Sequence, residues 1–470
     1  MSSVAVVWFR RDLRVHDHPP LVRALAAHDH VVPAFVFDRR LIRGRFPSPG
    51  RTQFLLESLA ELEGALRERG GRLVVREGRP AREIAALAVE VGAEAVYLAS
   101  DVSPYARARD RAARAALEQV GVRAVPTPGN FCADIGKIRT KDGRSFTVFS
   151  PFHRAWREEE RRAVHRAPAQ VPMPAGVRLG SLPRLADFGL VPELSEPIAA
   201  GEAESRRRLE RFLAGPMEDY AERHDHLAGG TSELSPHIHF GNVSVREIEE
   251  RVARRPGKGP QAFRRQLGWR DFYAQVLLHH PQNARSPHQR RYAELEWDSD
   301  EERLRAWQEG RTGYPIVDAA MRQLRGTGWM HNRARLVVGS FLTKDLHLDY
   351  RLGEAHFMRY LLCGDEAQNN GNWQWIASVG VDPAPYFRRM YNPTLHQQRF
   401  DPQGEYVRRW VPELARVPLE RLAEPWTMPP EEQEACGCEI GRDYPAPIVD
   451  HKRERERAME RYRAAGEKEA

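Results

Sequence analysis

Cysteine is scarce in this sequence, and long apolar runs are missing. Only 4 of the 470 residues are cysteine, and Cys436 and Cys438 lack the two-residue spacer of a redox or zinc pair. A disulfide framework and a four-thiolate metal site are therefore excluded. No apolar run approaches the roughly 18 residues of a membrane span, and the opening MSSVAVVWFRRDLR has its charges after the apolar stretch, unlike a signal peptide. We expect a cytoplasmic protein without a membrane segment.

Glycine-rich phosphate loops are also missing. Trp8-Phe9-Arg10-Arg11-Asp12 follows the first apolar run, and neither GxGxxG nor a Walker A sequence occurs. Up to residue 128, short β-branched runs alternate with amphipathic stretches. This pattern predicts strands at 4–8, 31–37, 72–76, 95–98 and 122–125, and helices at 20–27, 51–68, 81–91 and 105–119. Residues 1–130 are therefore predicted to form a Rossmann-like α/β domain with a five-stranded parallel sheet.

The rest of the chain is predicted to be helical. Prolines punctuate residues 165–200, where both periodicities vanish, so we interpret 131–200 as an interdomain connector. Helical periods then follow at 202–214, 244–254, 261–279, 301–309, 315–325, 331–346 and 353–362. We expect an all-α domain over 201–470, which ends in a solvated helix of mixed charge at 451–470.

The charge balance favours a polyanionic partner. Lys and Arg number 72 against 65 Asp and Glu, a net charge of +7, and a basic surface attracts phosphates.

Two His-x-His pairs, His224 with His226 and His237 with His239, lie close in sequence. Nothing in their spacing makes the rings converge, so we predict no metal site.

Polar and aromatic residues gather on predicted helices of the second domain. Gln266, Trp269, Arg270 and Tyr273 are spaced i, i+3, i+4 and i+7, so they share one helix face. Asn332, Arg335, Asp365, Asn369, Trp373 and Trp375 follow downstream. Planar surfaces, amides and charge together favour a flat polar heterocycle. The hydroxyls of Thr231, Ser232 and Ser235 suit phosphate oxygens.

Several long ordered motifs carry a family resemblance. They are WQEGRTGYPIVDAAMR at 307–322, GWMHNR at 328–333, GD at 364–365, NNGNWQW at 369–375, PYFR at 385–388 and YNP at 391–393. The chain resembles the photolyase and cryptochrome flavoprotein family nearly end to end, and most closely the class I cyclobutane pyrimidine dimer photolyases. The resemblance implies an α/β antenna domain and a helical domain that holds FAD.

The resemblance also implies a set of cofactor contacts. The FAD would be noncovalent, U-shaped and active as the reduced anion. The phosphates and the ribityl chain would contact Tyr220, Thr231, Ser232, Leu234 and Ser235. Around the remainder of the cofactor would lie Arg270, Asn332, Arg335, Asp365 and Asn369. Arg335 suits an anionic flavin because a fixed cation favours the charged form. The Asn369 amide, which would face the flavin N5, can both donate and accept a hydrogen bond.

The resemblance also implies a lesion pocket. Trp269 and Trp375 would sandwich a flipped pyrimidine dimer, and Gln266, Asn332, Arg333 and Leu336 would complete the pocket. Arg223, Arg388 and Arg399 would contact backbone phosphates. In the mechanism that the resemblance implies, excited reduced flavin gives an electron to the dimer, the cyclobutane bonds break and the electron returns.

Three residues depart from the family pattern. Gln266 stands where class I enzymes have a glutamate, and Cys363 stands where the family has the acidic partner of Arg335. Tyr350 replaces the middle tryptophan of the photoreduction chain, between Trp373 near the flavin and Trp297 at the surface. Tyrosine loses a proton on oxidation, so we expect slower or rerouted electron transfer.

The sequence leaves alternatives open for the identity of the antenna chromophore and for the lesion that is repaired. Arg51, Asp101 and Arg109 resemble the site of photolyases that bind 8-hydroxy-5-deazaflavin, which we favour over methenyltetrahydrofolate. The predicted function is blue-light repair of cyclobutane dimers by a monomer, which would be nucleoid-associated when bound to DNA. A cryptochrome-type photoreceptor and a (6-4) photoproduct photolyase are the alternatives. The chain ends soon after YPAPIV at 444–449, which leaves no long signalling tail and disfavours the photoreceptor.

Overall fold

The N-terminal part of the chain folds around a parallel sheet. In the computed structural model, which describes residues 2–382 and 384–467, the strands are β1 Val4–Phe9, β2 His30–Phe37, β3 Val74–Glu77, β4 Ala95–Ala99 and β5 Arg123–Thr127. Their order in the sheet is β3-β2-β1-β4-β5. β1 is central and wholly buried, and its Val6 pairs with Val32 of β2 and Val96 of β4. The predicted five-stranded parallel sheet is confirmed.

Helices cover both faces of this sheet. They are α1 Pro19–Ala27, α2 Arg39–Ile42, α3 Pro49–Arg67, α4 Pro80–Glu90 and α5 Pro104–Gln119. Proline opens four of them, and the side chains of Ser48 and Ser103 cap α3 and α5. Successive β1 side chains point to opposite faces. Phe9 therefore packs with α1 and α3, and Trp8 packs with α4 and α5.

The remaining chain is helical, as the 3.6-residue periods predict. Its helices are α6 Phe149–Glu158, α7 Glu202–Ala214, α8 Tyr220–Arg223, α9 Ser235–Phe240, α10 Val245–Ala253, α11 Lys258–His279, α12 Glu301–Glu309, α13 Pro315–Thr327, α14 Asn332–Ser340, α15 Tyr350–Tyr360, α16 Glu366–Ile376, α17 Pro393–Phe400, α18 Glu405–Trp410, α19 Pro430–Cys436 and α20 His451–Glu467. The helix predicted over 331–346 is present and continues to residue 345, but its second half has a different hydrogen-bond pattern. A π-helical turn, Phe341–Asp345, follows α14, and within it the Lys344 ammonium bonds to the Ile376 carbonyl.

The predicted connector at 131–200 has two parts that pack differently. Its first part carries α6, whose Phe152 and Trp156 are buried among side chains of α7, α10 and α11. Its second part lies along the sheet domain, where the Val31 N–H donates to the Pro172 carbonyl at 2.8 Å. The boundaries at 130 and 200 stay predictions.

The terminal helix α20 is docked, so the prediction of a solvated helix is wrong. Glu454, Ala458 and Tyr462 recur at four-residue spacing and are buried on one face. The Tyr462 hydroxyl donates to the Ala377 carbonyl at 2.6 Å, just past the end of α16. This stripe holds one aromatic residue and one alanine among many charges, which is why hydrophobic periodicity does not reveal it.

The motif at 307–322 is organised by the buried carboxylate of Asp318. Its oxygens accept hydrogen bonds from the Thr312 N–H at 2.7 Å, the Thr312 hydroxyl at 2.7 Å and the Gly313 N–H at 3.1 Å. The Tyr444 hydroxyl donates a fourth bond at 2.6 Å. One carboxylate therefore ties the start of α13 to the C-terminal segment.

Replacing Asp318 by asparagine should destabilise the protein. The amide nitrogen cannot accept a hydrogen bond, so a buried donor loses its partner, and we expect the free energy of unfolding to fall by about 2–3 kcal/mol. Tyr444→Phe, which removes the fourth bond alone, should cost about 1 kcal/mol. Urea denaturation measures both values. Wild-type stability in Asp318→Asn would contradict this role.

Candidate functional site

Helix α16 begins at a carboxylate that faces the α/β domain. Asp365 caps the helix by accepting a hydrogen bond from the Gln368 N–H at 3.1 Å. Its Oδ2 also accepts a bond of 2.7 Å from Nη2 of Arg11, which lies just after β1. Arg11 Nε is 3.7 Å from Oδ2 of Asp101, so this cation bridges two acids. Burial opposes ionisation of Asp365, but Arg11 holds the pKa of this carboxyl below its ordinary value.

Arg335 lies beside Cys363, as the resemblance implies. Its Nε donates to the Met330 carbonyl at 2.9 Å, and its Nη2 is 3.5 Å from the Cys363 sulfur. Within the described part of the chain, no carboxylate forms an ion pair with Arg335. Because a neutral thiol does not balance a guanidinium, the positive charge of Arg335 is left for an anion.

At the start of α9, and just before it, two hydroxyls have one protein partner or none. The Ser235 hydroxyl is buried and has no hydrogen-bond partner. The Ser232 hydroxyl accepts a single long bond, 3.4 Å, from the Leu234 N–H. A buried hydroxyl without a partner costs about 1–3 kcal/mol, so a polar ligand group is favoured there. Tyr220, also predicted at this site, is buried on the preceding α8. These residues fit a phosphate-bearing ligand.

The structure brings Trp269 of α11 and Trp375 of α16 to one groove. The groove has a volume of about 200 Å³, and Tyr273 also lines it. The Trp269 ring stacks on Phe149 of α6, with 3.7 Å between centroids and 5° between planes. Two indoles on one groove can stack against a flat group between them.

Sequence reasoning missed the third wall of this groove. Thr147, Val148, Phe149 and Ser150 line it from the predicted connector, and Arg265 lines it from α11. The signal was the aromatic spacing at 146, 149, 152 and 156, which predicts a helix with one apolar face.

The other predicted lesion and DNA residues lie on the surface or at its edge. Arg333 pairs with Asp225 at 2.5 Å, and Leu336 is half-buried against the helical core. Side chains that are exposed to solvent are Arg223, Gln266, Asn332, Arg388 and Arg399. Exposed arginines are free to contact phosphates.

Aromatic residues lead from the surface to α16. The half-buried Trp297 ring is 6.4 Å from the Tyr350 ring, centroid to centroid. Trp373 is buried on α16, and its indole N–H has no partner. A Cβ on Gly353, one turn after Tyr350, would lie 2.1 Å from the Trp373 ring, so glycine allows α15 and α16 to pack closely here. Burial raises the pKa of Tyr350 above its ordinary value, and Glu354 adds to the effect.

Asn369 is oriented by the neighbouring helix α15. Its Nδ2 donates to the Glu354 carbonyl at 2.9 Å, and Asn370 Nδ2 donates to Glu354 Oε1 at 3.2 Å. Burial raises the pKa of Glu354 to about 7. The Asn369 side chain is therefore fixed by a backbone acceptor that does not titrate.

The three predicted antenna residues are not brought to one surface. Arg51 donates to the carbonyls of Met358 at 2.7 Å and Leu361 at 3.0 Å, so it holds the end of α15. Asp101 borders a cavity of about 260 Å³ beside the carboxyl ends of β1 and β4. Arg109 is bonded to Asp110, which lines the same cavity, at 2.9 Å.

No metal or membrane feature emerges from the described residues. Among residues 2–382 and 384–467, no group of three or more His, Cys, Asp or Glu side chains is placed to hold a metal ion. His237 instead packs edge-on against Phe54, and His224 stacks on Tyr220. No helix in this part of the chain is long and apolar enough to span a bilayer.

The parallel sheet followed by a mostly helical region is the fold of proteins of the photolyase and cryptochrome type. A solved class III photolyase from Agrobacterium tumefaciens superposes with a TM-score of 0.92 at 33% identity, covering 99% of this chain and 98% of that one. A cryptochrome from Synechocystis sp. PCC6803 gives a TM-score of 0.90 at 29% identity, covering 97% and 99%. The predicted fold class is confirmed.

Sequence comparison identifies the family. Residues 5–175 match the model for DNA photolyase, and residues 263–464 match that for the FAD binding domain of DNA photolyase. The deoxyribodipyrimidine photo-lyase of Streptomyces griseus is 45% identical over 458 residues, covering 95% of this chain and 96% of that protein. The chain belongs to the DNA photolyase family of enzymes and carries its FAD-binding domain. The class I subdivision stays a prediction.

Proposed function

We propose that this enzyme repairs cyclobutane pyrimidine dimers in DNA with blue light and reduced FAD, as a cytoplasmic monomer that acts on nucleoid DNA. The groove shared by Trp269 and Trp375 carries the proposal. The same two helices, α11 and α16, also hold Arg270 and Asn369. A dimer stacked between the indoles would therefore lie against the helices that hold the flavin.

The residues present fit an anionic flavin dinucleotide. When bound, reduced FAD supplies the electron that splits the dimer under light and takes it back afterwards. The unpartnered Ser235 hydroxyl and the unbalanced charge of Arg335 support this fit. We assign the phosphates and ribityl chain to Tyr220, Thr231, Ser232, Leu234 and Ser235. We assign the remaining contacts to Arg270, Asn332, Arg335, Asp365 and Asn369.

The residues that we assign to DNA binding have different roles. Trp269 and Trp375 stack on the flipped dimer, and the Gln266 amide offers it hydrogen bonds while remaining neutral. Asn332, Arg333 and Leu336 complete the pocket. Exposed Arg223, Arg388 and Arg399 contact phosphates, which positions the duplex without reading its sequence.

The environment of His331 disfavours the (6-4) photoproduct as substrate. By family analogy, that reaction requires a pair of histidines at the lesion. His331 is buried and caps α14 by accepting a bond from the Arg333 N–H at 3.1 Å. Burial lowers its pKa to about 4. A neutral capping imidazole is a poor proton donor near pH 7.

Light-dependent splitting of a dimer tests the proposal. Recovery of thymine ultraviolet absorbance is followed in a dimer-containing oligothymidine with chemically reduced protein, in blue light and in darkness. We expect recovery in light only. Trp269→Ala should weaken dimer binding by about 10-fold, since stacking is worth about 1–3 kcal/mol per base.

A negative result in this assay would distinguish the alternative functions. Protein with bound, fully reduced flavin that splits no dimer would overturn the proposal. Splitting of (6-4) photoproducts would then identify the other lesion. Flavin photoreduction without repair of either lesion would favour a photoreceptor.

We further propose that Trp297, Tyr350 and Trp373 conduct electrons to oxidised flavin, separately from repair. Phenylalanine is far harder to oxidise than tyrosine, so Tyr350→Phe should abolish photoreduction, whereas Tyr350→Trp should restore it. Transient absorption measures photoreduction. Chemically reduced Tyr350→Phe should still split dimers, and unchanged photoreduction in that variant would contradict the route.

For the antenna we propose 8-hydroxy-5-deazaflavin rather than methenyltetrahydrofolate. Three arginines, Arg107, Arg111 and Arg114, line the cavity against two acids, Asp101 and Asp110, and this excess of positive charge supports an anionic planar ligand. Protein produced in a host that makes both compounds should release the deazaflavin on denaturation, as identified by absorbance. Release of folate would contradict the assignment.

A further inference from the structure

A buried arginine lies under the lesion-facing indole. Arg389, which is only 2% exposed, places its guanidinium carbon 4.3 Å from the centroid of the Trp375 ring. Its Nη1 donates to the Trp375 carbonyl at 2.8 Å. Cation and ring face therefore meet away from water, where a cation–π contact is strongest.

Asp382 completes the contacts of this indole. Its Oδ2 accepts the Trp375 indole N–H at 3.0 Å and lies 2.8 Å from Arg389 Nη2. Gln289 Nε2 in turn donates to the Asp382 carbonyl at 3.2 Å and to the Gly380 carbonyl at 2.7 Å. Trp375 is thus fixed at its ring face, its indole N–H and its backbone carbonyl.

Arg389 helps to cap α16 through the Trp375 carbonyl, but it makes further contacts. The Lys344 ammonium bonds to the Ile376 carbonyl, and the Tyr462 hydroxyl donates to the Ala377 carbonyl at 2.6 Å. Two other side chains therefore share the capping of this helix end, and the Trp375 carbonyl also accepts a bond from the Ser378 N–H at 3.0 Å. What Arg389 adds is the contact with the indole ring and the ion pair with Asp382.

We propose that Arg389 is a positioning residue that, with Asp382, holds the Trp375 indole in its stacking orientation and so sets discrimination between dimer-containing and intact DNA. This inference rests on the proposed function. An indole that is already immobile loses little entropy when the dimer stacks on it, so its stacking energy appears as affinity. Intact DNA does not enter the groove, so its affinity does not depend on how firmly the Trp375 indole is held.

The adjacent arginine provides a matched comparison. Arg388 is exposed and is assigned to phosphate contact, whereas Arg389 is buried. Arg389→Gln should weaken binding of a dimer-containing duplex about 10-fold and leave intact DNA within about twofold. Arg388→Gln should weaken both equally, because phosphate contacts are common to both ligands. Arg67→Gln in α3 should change neither affinity.

Two further variants separate positioning from folding. Arg389→Lys keeps the charge but loses the fork geometry, so we expect an intermediate loss. Asp382→Asn removes the ion pair with little change of volume, and it should also lower dimer affinity while intact-DNA affinity is kept. In repair assays the KM for dimer should rise while kcat at saturation stays near wild type.

The outcomes are distinct. Wild-type discrimination in both Arg389→Gln and Asp382→Asn would overturn the inference. Equal loss of both affinities, together with lost flavin and a lowered Tm, would mean that Arg389 is structural only. If Arg389→Gln does not fold, the affinities of Asp382→Asn for dimer-containing and intact DNA decide between these outcomes. If the wild type itself showed no preference for dimers, the proposed function would fail instead.

Discussion

The ion pair between Arg11 and Asp365 joins the N-terminal α/β part of the chain to the start of helix α16. A carboxylate at a helix N-terminus is favoured by the backbone dipoles, and here it also accepts a bond from the other domain. Arg11 stands where a nucleotide-binding fold would place its glycine-rich loop. The turn after β1 therefore contacts the helical part of the chain through Arg11.

The other end of α16 is held just as firmly. The carbonyls of residues 375, 376 and 377 receive bonds from Arg389, Lys344 and Tyr462, and the Arg389 guanidinium carries a positive charge. Positive charge at a helix C-terminus is favourable for the same reason as negative charge at its start. Because both ends are held, helix α16 keeps one orientation about its own axis. This orientation determines which of its side chains face the groove and which face α15.

Local pattern predicted the fold better than it predicted the site. The strands follow from runs of β-branched residues, and the helices of the first domain begin close to where proline and serine signals place them. The motif residues lie on the expected helices because their spacing fixes a shared face. Arg11, Phe149 and Arg389 were not predicted, since each acts across a long sequence separation. Their roles depend on packing between elements, which periodicity does not encode.

Two of the three departures from the family pattern, Gln266 and Cys363, bear on charge. By the resemblance, Gln266 and Cys363 each replace a carboxylate with a neutral group, and both changes make the surroundings more positive. Arg335, with only a thiol beside it, then favours an anion more strongly than a paired arginine would. At Gln266 the change is compatible with a substrate that becomes negatively charged during repair, because a neutral amide does not repel an added electron. The two substitutions are therefore mutually consistent, and they are better explained by adjustment of the site's charge than by loss of its function.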